Sequence, residues 1–204
     1  MIDRTALRLV AITDDLRDGA SGLVARAAAA VRGGSSMVQL RLKDASAREL
    51  VEVARLLVST LSVPVIVNDR FDVAIAAGAA GVHLGADDVP VESARRATPA
   101  GFIIGASAGD DSEIRHAEGA DYVGIGPVFG SASKMDAGPA IGLEEFQRLA
   151  AKAGIPAVAV GGITAENAKS AFAAGAAGVA VIRAIFADSD PELAARRLSG
   201  AIEN

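Results

Sequence analysis

Two carboxylates and a scatter of cations define the chemistry open to this sequence. Asp69 closes the apolar run Val63-Pro-Val-Ile-Val-Asn68, and Asp88 follows the run Gly81-Val-His-Leu84 after a short loop. An alanine-rich stretch lies between the two runs. Each run reads as a short buried parallel strand. Parallel strands joined by helical crossovers bring their C-terminal ends to one edge of the sheet. The spacing therefore predicts that Asp69 and Asp88 reach a common ligand. Arg41, Lys43 and Lys134 follow other strand-like runs. Two carboxylates and several cations on one rim suit Mg²⁺ holding a diphosphate. From spacing alone, Asp69 and Asp88 fit equally well as N-caps of the helices that follow them.

The elements that must position these groups alternate about eight times. Strands are expected at Leu7–Thr13, Met37–Arg41, Val65–Asn68, Gly81–Leu84, Phe102–Ser107, Asp121–Gly126, Ala157–Gly161 and Gly178–Ile182. Helices are expected near Gly22–Arg32, Ala47–Ser59, Phe71–Ala77, Ser112–Glu118, Leu143–Ala153 and Pro191–Ile202. Pro90 opens a further helix, a place where proline is tolerated, and Thr164 is expected to N-cap another that runs to Ala174. The pairs Gly78-Ala79, Gly119-Ala120 and Gly175-Ala176 read as tight helix-to-strand turns. Eight βα units without a break in composition predict one (β/α)₈ TIM barrel domain spanning residues 1–204. A doubly wound open sheet is the alternative. It is weakened by Thr13-Asp-Asp-Leu16 standing where a glycine-rich dinucleotide loop would be.

Composition excludes several classes. The chain has 204 residues, enough for one domain with a sizeable core. Cysteine is absent, which removes disulfides and thiol chemistry. Aromatic residues make up 3% and the net charge is −5, so nucleic acid is not an expected partner. No apolar run reaches membrane-spanning length and no signal-peptide pattern opens the chain, so a soluble cytoplasmic protein is the default expectation. Oligomeric state is left open, a homo-oligomer included.

In a barrel, functional groups gather in the loops after the strands. After strand two, alternation puts Gln39, Arg41 and Lys43 on one side, with Arg41 offering a fork and Lys43 a point charge to phosphate. A solvated rim pair is the bland reading, but Gln39 sits in an apolar strand and needs a partner. After strand five, Gly105-Ala-Ser107-Ala-Gly109 matches the nucleophile elbow of hydrolases. A triad of that order needs a later histidine, and only His116 follows, on the next helix. Ser107 is better read as a barrel-lining hydroxyl or a ligand hydrogen-bonder, and His83 as a core or supporting imidazole. After strand six, a glycine-rich loop carries Ser131, Ser133 and Lys134 and could close over a phosphate, or be only a surface loop. After strands seven and eight, Gly161-Gly162 and Ile182-Arg183 stand where barrels often build a phosphate cradle.

Taken together, Gln39-Leu-Arg-x-Lys43, Val67-Asn-Asp-Arg70, His83-Leu-Gly-x-x-Asp88, Gly126-Pro-x-Phe-x-Ser-x-Ser-Lys134 and Gly161-Gly-Ile163 resemble the thiamine-phosphate synthase family. The motifs occur in that family's order along nearly the whole chain. The resemblance implies a barrel that joins an aminopyrimidine diphosphate to a thiazole phosphate and releases pyrophosphate. It implies Mg²⁺ on Asp69 and Asp88, with Gln39, Arg41, Lys43, Asn68, Ser107 and Lys134 around the pyrimidine diphosphate. It implies that Ser131, Ser133, Gly162, Ile182 and Arg183 meet the thiazole phosphate. Arg41, Lys43 and Lys134 would offset charge growing on the departing pyrophosphate.

The sequence departs from that pattern at Leu42, Ala86, Gly109 and Arg183, where Glu or Asp, Gln, His and Ser are common; Ser131 and Ser133 replace a Thr pair. Two other readings share the barrel. Thiazole tautomerases resemble this chain at Ala11-Ile-Thr-Asp-Asp15, but they lack the metal carboxylates and depend on a histidine near the position of Gly109. A non-catalytic protein that binds thiazole phosphate or thiamine phosphate would explain Leu42 and Ala86 as decay.

Overall fold

The computed structural model describes residues 2–130 and 139–203. Ser131, Ser133 and Lys134 lie outside the described residues. Eight parallel strands close into a barrel in sequence order. They are β1 (Leu9–Ile12), β2 (Met37–Leu40), β3 (Val65–Asn68), β4 (Gly81–Leu84), β5 (Ile103–Ala108), β6 (Tyr122–Ile125), β7 (Ala157–Val160) and β8 (Gly178–Val181). The helices are α1 (Gly19–Arg32), α2 (Ala47–Thr60), α3 (Phe71–Ala77), α4 (Val91–Ala97), α5 (Asp111–His116), α6 (Gly142–Ala153), α7 (Ala168–Ala173), α8 (Arg183–Phe186) and α9 (Pro191–Glu203). Among the described residues no helix is long and apolar enough to cross a membrane.

Alternation along each strand sorts the apolar residues into two cores. Val38, Leu40, Val65, Val67, Val82 and Leu84 face outward and pack under the helices. Val10, Ile12, Met37, Ile66, Tyr122, Val158 and Ala180 fill the barrel interior. Burying both faces explains why the strands read as continuous apolar runs.

Most expected elements are present, with differences at their ends. The strands end earlier than expected where polar residues take over, at Thr13 and Arg41, and where Gly126 leads into Pro127. Two short pieces were not anticipated: a 3₁₀ turn over Arg4–Leu7, and α8 just after β8. Thr164 does not cap α7. The chain makes a turn first, in which the Thr164 N–H donates to Asn167 Oδ1 at 2.8 Å, and Asn167 stands at the helix entry. The three Gly-Ala turns form as expected, with φ of +70° at Gly78, +85° at Gly119 and +95° at Gly175.

Candidate active site

The ends of β3 and β4 are adjacent because Asn68 and His83 pair in register. The next residue, Asp69, takes φ +64°, a left-handed conformation that is uncommon for a non-glycine residue. Its N–H donates to the His83 carbonyl at 2.7 Å, which holds the turn. The Asp69 carboxyl then meets that of Asp88 at hydrogen-bond range. Asp88 is fixed by the N–H of Gly85, 2.6 Å from its Oδ2. Neither carboxylate caps a helix: α3 starts from Arg70 and α4 from Pro90, each without a side-chain cap. The capping alternative is thereby set aside by geometry.

Burial, contact with Asp88 and the charge of Asp88 push the Asp69 carboxyl up to about 6, against the pull of Arg41 and Asn68. Arg41 is a cation that acts on this half-buried acid pair. Among the described residues no cluster of three or more His, Cys, Asp or Glu could hold a metal by itself. Two carboxylates would leave the remaining ligand positions to water and substrate oxygens, a donor set that would fit Mg²⁺.

Beside the acid pair, five polar side chains face the barrel interior from the consecutive strands β2 to β6. Gln39 is 4% exposed and donates from Nε2 to Asn68 Oδ1 at 2.7 Å, which supplies the partner its apolar strand demands. His83 lies between Tyr122 and Ser107: Nδ1 is 3.0 Å from Tyr122 Oη, and Nε2 is 2.9 Å from Ser107 Oγ. Arg41 is placed just past β2 by Thr13, whose Oγ1 accepts the Arg41 N–H at 2.9 Å. Its charge acts on Asp69. Lys43 is exposed in the same loop. Arg41 and Lys43 do not sit on a strand face as alternation predicted, because β2 ends at Leu40.

On the other side of the mouth, the described loops after β6 and β7 carry Gly130, Gly161 and Gly162. Gly161 accepts the Phe129 N–H at 3.0 Å, so the loop after β6 lies against the loop after β7. Gly162 has φ +66°, and a Cβ there would come 2.6 Å from the Gly130 carbonyl oxygen. Ile182 precedes α8, and Arg183 opens it with an exposed side chain. Arg17 donates to the Phe186 carbonyl, tying the loop after β1 to the end of α8.

The family model for thiamine monophosphate synthase matches residues 9–185. The chain belongs to the thiamine monophosphate synthase family. A thiamine-phosphate synthase from Methanoculleus marisnigri is 50% identical over 184 residues, covering 88% of this chain and 86% of that protein. One from Xanthobacter autotrophicus is 44% identical over 201 residues, covering 96% and 95%. The solved thiamine phosphate pyrophosphorylase from Pyrococcus furiosus superposes with a TM-score of 0.87 at 36% identity, over 98% of this chain and 97% of that one. A 3-hexulose-6-phosphate synthase at 18% identity and TM-score 0.76 shares the fold alone.

As a member of the thiamine monophosphate synthase family the chain is an enzyme, and its activity is thiamine-phosphate synthesis, by that name a transferase reaction. Two residues of this site escaped the reading of the sequence. Thr13 is fully buried and holds the Arg41 backbone, and Tyr122 is 2% exposed inside the barrel. A polar residue ending an apolar run marked the first. The only tyrosine of the chain, within a strand, marked the second.

Proposed function

We propose that this enzyme moves an aminopyrimidine-methyl group from its diphosphate to the ring nitrogen of a thiazole phosphate, releasing pyrophosphate, with Asp69 and Asp88 holding Mg²⁺. The observation that carries the reading is the contact between those two carboxyls at the mouth of the barrel, next to the charge of Arg41. When bound, Mg²⁺ would neutralise phosphate oxygens and make the diphosphate a better leaving group. Arg41 and Lys43, with Lys134 from beyond the described residues, would stabilise negative charge as it builds on pyrophosphate. Gln39, Asn68 and Ser107 would orient the pyrimidine diphosphate. Gly162, Ile182 and Arg183, with Ser131 and Ser133, would receive the thiazole phosphate, the glycine letting its backbone approach an oxygen closely.

The reaction asks for no protein nucleophile. An electron-rich aminopyrimidine stabilises positive charge on its methylene carbon, so C–O cleavage can run ahead of attack by the thiazole nitrogen. The chain's part is to hold both substrates in line and to offset charge, which suits a site without cysteine. The test is pyrophosphate release from the two substrates together, with and without Mg²⁺. Full activity under chelation would exclude the metal role. Isomerisation of a thiazole alone would indicate a tautomerase, and binding with neither reaction would indicate a carrier.

A further inference from the structure

We propose that Tyr122 and His83 are positioning residues that aim the hydroxyl hydrogen of Ser107 at the substrate, so that Ser107 acts as a hydrogen-bond donor to an acceptor atom. The proposal rests on the reading of Ser107 as a contact of the pyrimidine diphosphate.

Tyr122 Oη, His83 Nδ1, His83 Nε2 and Ser107 Oγ are linked by separations of 3.0 Å and 2.9 Å. A neutral imidazole has one donor and one acceptor nitrogen, so two arrangements satisfy the distances. Tyr122 distinguishes them. Its ring lies in the barrel core with Val10, Met37 and Ile66. Among the described residues its hydroxyl has a hydrogen-bond contact to His83 alone. If His83 donated through Nδ1, or were an imidazolium, the phenolic hydrogen would be buried with no acceptor. The phenol must therefore donate to Nδ1. Nε2–H then donates to Ser107 Oγ, and the Ser107 hydrogen is left to point elsewhere. Ser107 is half-buried on the inner face of β5, where the barrel opens.

The neighbouring strands make room for this chain. A Cβ on Gly105 would overlap the Tyr122 ring, and one on Gly124 would lie 3.2 Å from His83 Cε1. The Gly105-Ala-Ser107 sequence that resembled a hydrolase elbow has this spatial explanation. The array is also unsuited to nucleophilic catalysis. Its third member is a neutral phenol that cannot stabilise an imidazolium, and the N–H of Gly109 is taken by the Glu113 carboxylate. The substrate atom facing Ser107 is accordingly an acceptor, a pyrimidine ring nitrogen or a diphosphate oxygen, and an analogue presenting an N–H there would be rejected.

The chain has two histidines, and His116 is exposed, so His116→Gln leaves one imidazole to observe. Nitrogen-15 NMR of that full-length variant at neutral pH is expected to show His83 neutral and protonated on Nε2. An Nδ1–H tautomer or an imidazolium overturns the proposal without any variant of Tyr122. In kinetics, Tyr122→Phe is expected to lower kcat/KM for the pyrimidine diphosphate by about three- to tenfold and to leave KM for the thiazole phosphate unchanged. The same substitution should have no effect in a Ser107→Ala background. Losses that multiply in the double variant would show that Tyr122 acts by some other route and overturn the proposal. If no thiamine phosphate forms at all, the functional reading fails while the tautomer result stands.

Discussion

The carboxyl groups of Asp69 and Asp88 lie within interaction range past the ends of β3 and β4, and burial together with the Asp88 carboxyl raises the Asp69 carboxyl. Its ordinary value is 3.8 and its value in the fold is about 6. A carboxyl raised in this way contributes stability that is whole below about pH 3.8 and lost as pH rises through about 6. Asp69→Asn carries no such loss. Without metal, the melting temperature of the wild type should therefore fall relative to Asp69→Asn between pH 4.5 and 7. Above pH 6 added Mg²⁺ should restore it by mass action, and at pH 4.5 it should do little. Thermal unfolding of both proteins, with and without Mg²⁺, checks this. A gap that stays constant across the range would sink the charge-pair account.

Gln39 and Asn68 satisfy each other inside the barrel at 2.7 Å. Gln39→Leu keeps the volume but removes the donor, leaving the Asn68 carbonyl without its partner. The expected cost is about 1–3 kcal/mol in urea unfolding. Asn68→Leu combined with Gln39→Leu should cost less than the two single changes summed, because the bond between them is then lost only once. Additive losses would show that the pair is not a unit.

The fold was legible because its strands are buried on both faces and its helices are amphipathic, so the boundaries of β3, α3 and β4 are those the pattern predicts. The meeting of Asp69 and Asp88 was legible too, since parallel strand ends share an edge. Residues such as Thr13 and Tyr122 were not. Thr13 is 28 positions from Arg41, and Tyr122 is 39 from His83. Such contacts depend on register and on closure of the barrel, which no local pattern encodes. Asn167 taking the place of Thr164 at the entry of α7 is a miss of a different kind. Asn167 organises that turn by accepting the Thr164 N–H, and the helix begins only after it.

Thr13 joins the loop after β1 to the cation that faces the acid pair. Its hydroxyl accepts the Arg41 N–H at 2.9 Å and lies 3.3 Å from the Arg41 carbonyl. Thr13→Val is close in shape but strips both contacts from a fully buried position. A loss of about 1–3 kcal/mol in stability is expected. If Arg41 stabilises the departing pyrophosphate, kcat should also fall, by roughly tenfold for about 1.4 kcal/mol of lost transition-state stabilisation. Thr13→Ser, which keeps the hydroxyl, should recover most of the rate. Equal rates for Thr13→Val and Thr13→Ser would separate Thr13 from catalysis.

Gly162 lies where the loops after β6 and β7 press together. Its φ of +66° is strained for any side chain, and a Cβ would come within 2.8 Å of Phe129 and 2.6 Å of the Gly130 oxygen. Asn167 Nδ2 donates to the Gly162 carbonyl at 2.9 Å, so the backbone cannot rotate away without losing that bond. Gly162→Ala must therefore push the β6 loop, at a cost of about 1–3 kcal/mol of strain. If this glycine lines the thiazole-phosphate site, KM for that substrate should rise about tenfold or more, following a shift of about 1.4 kcal/mol in binding, while KM for the pyrimidine diphosphate changes little. Steady-state kinetics with each substrate varied in turn measures the split. A parallel rise in both constants would place the damage in the barrel as a whole and remove Gly162 from the phosphate site.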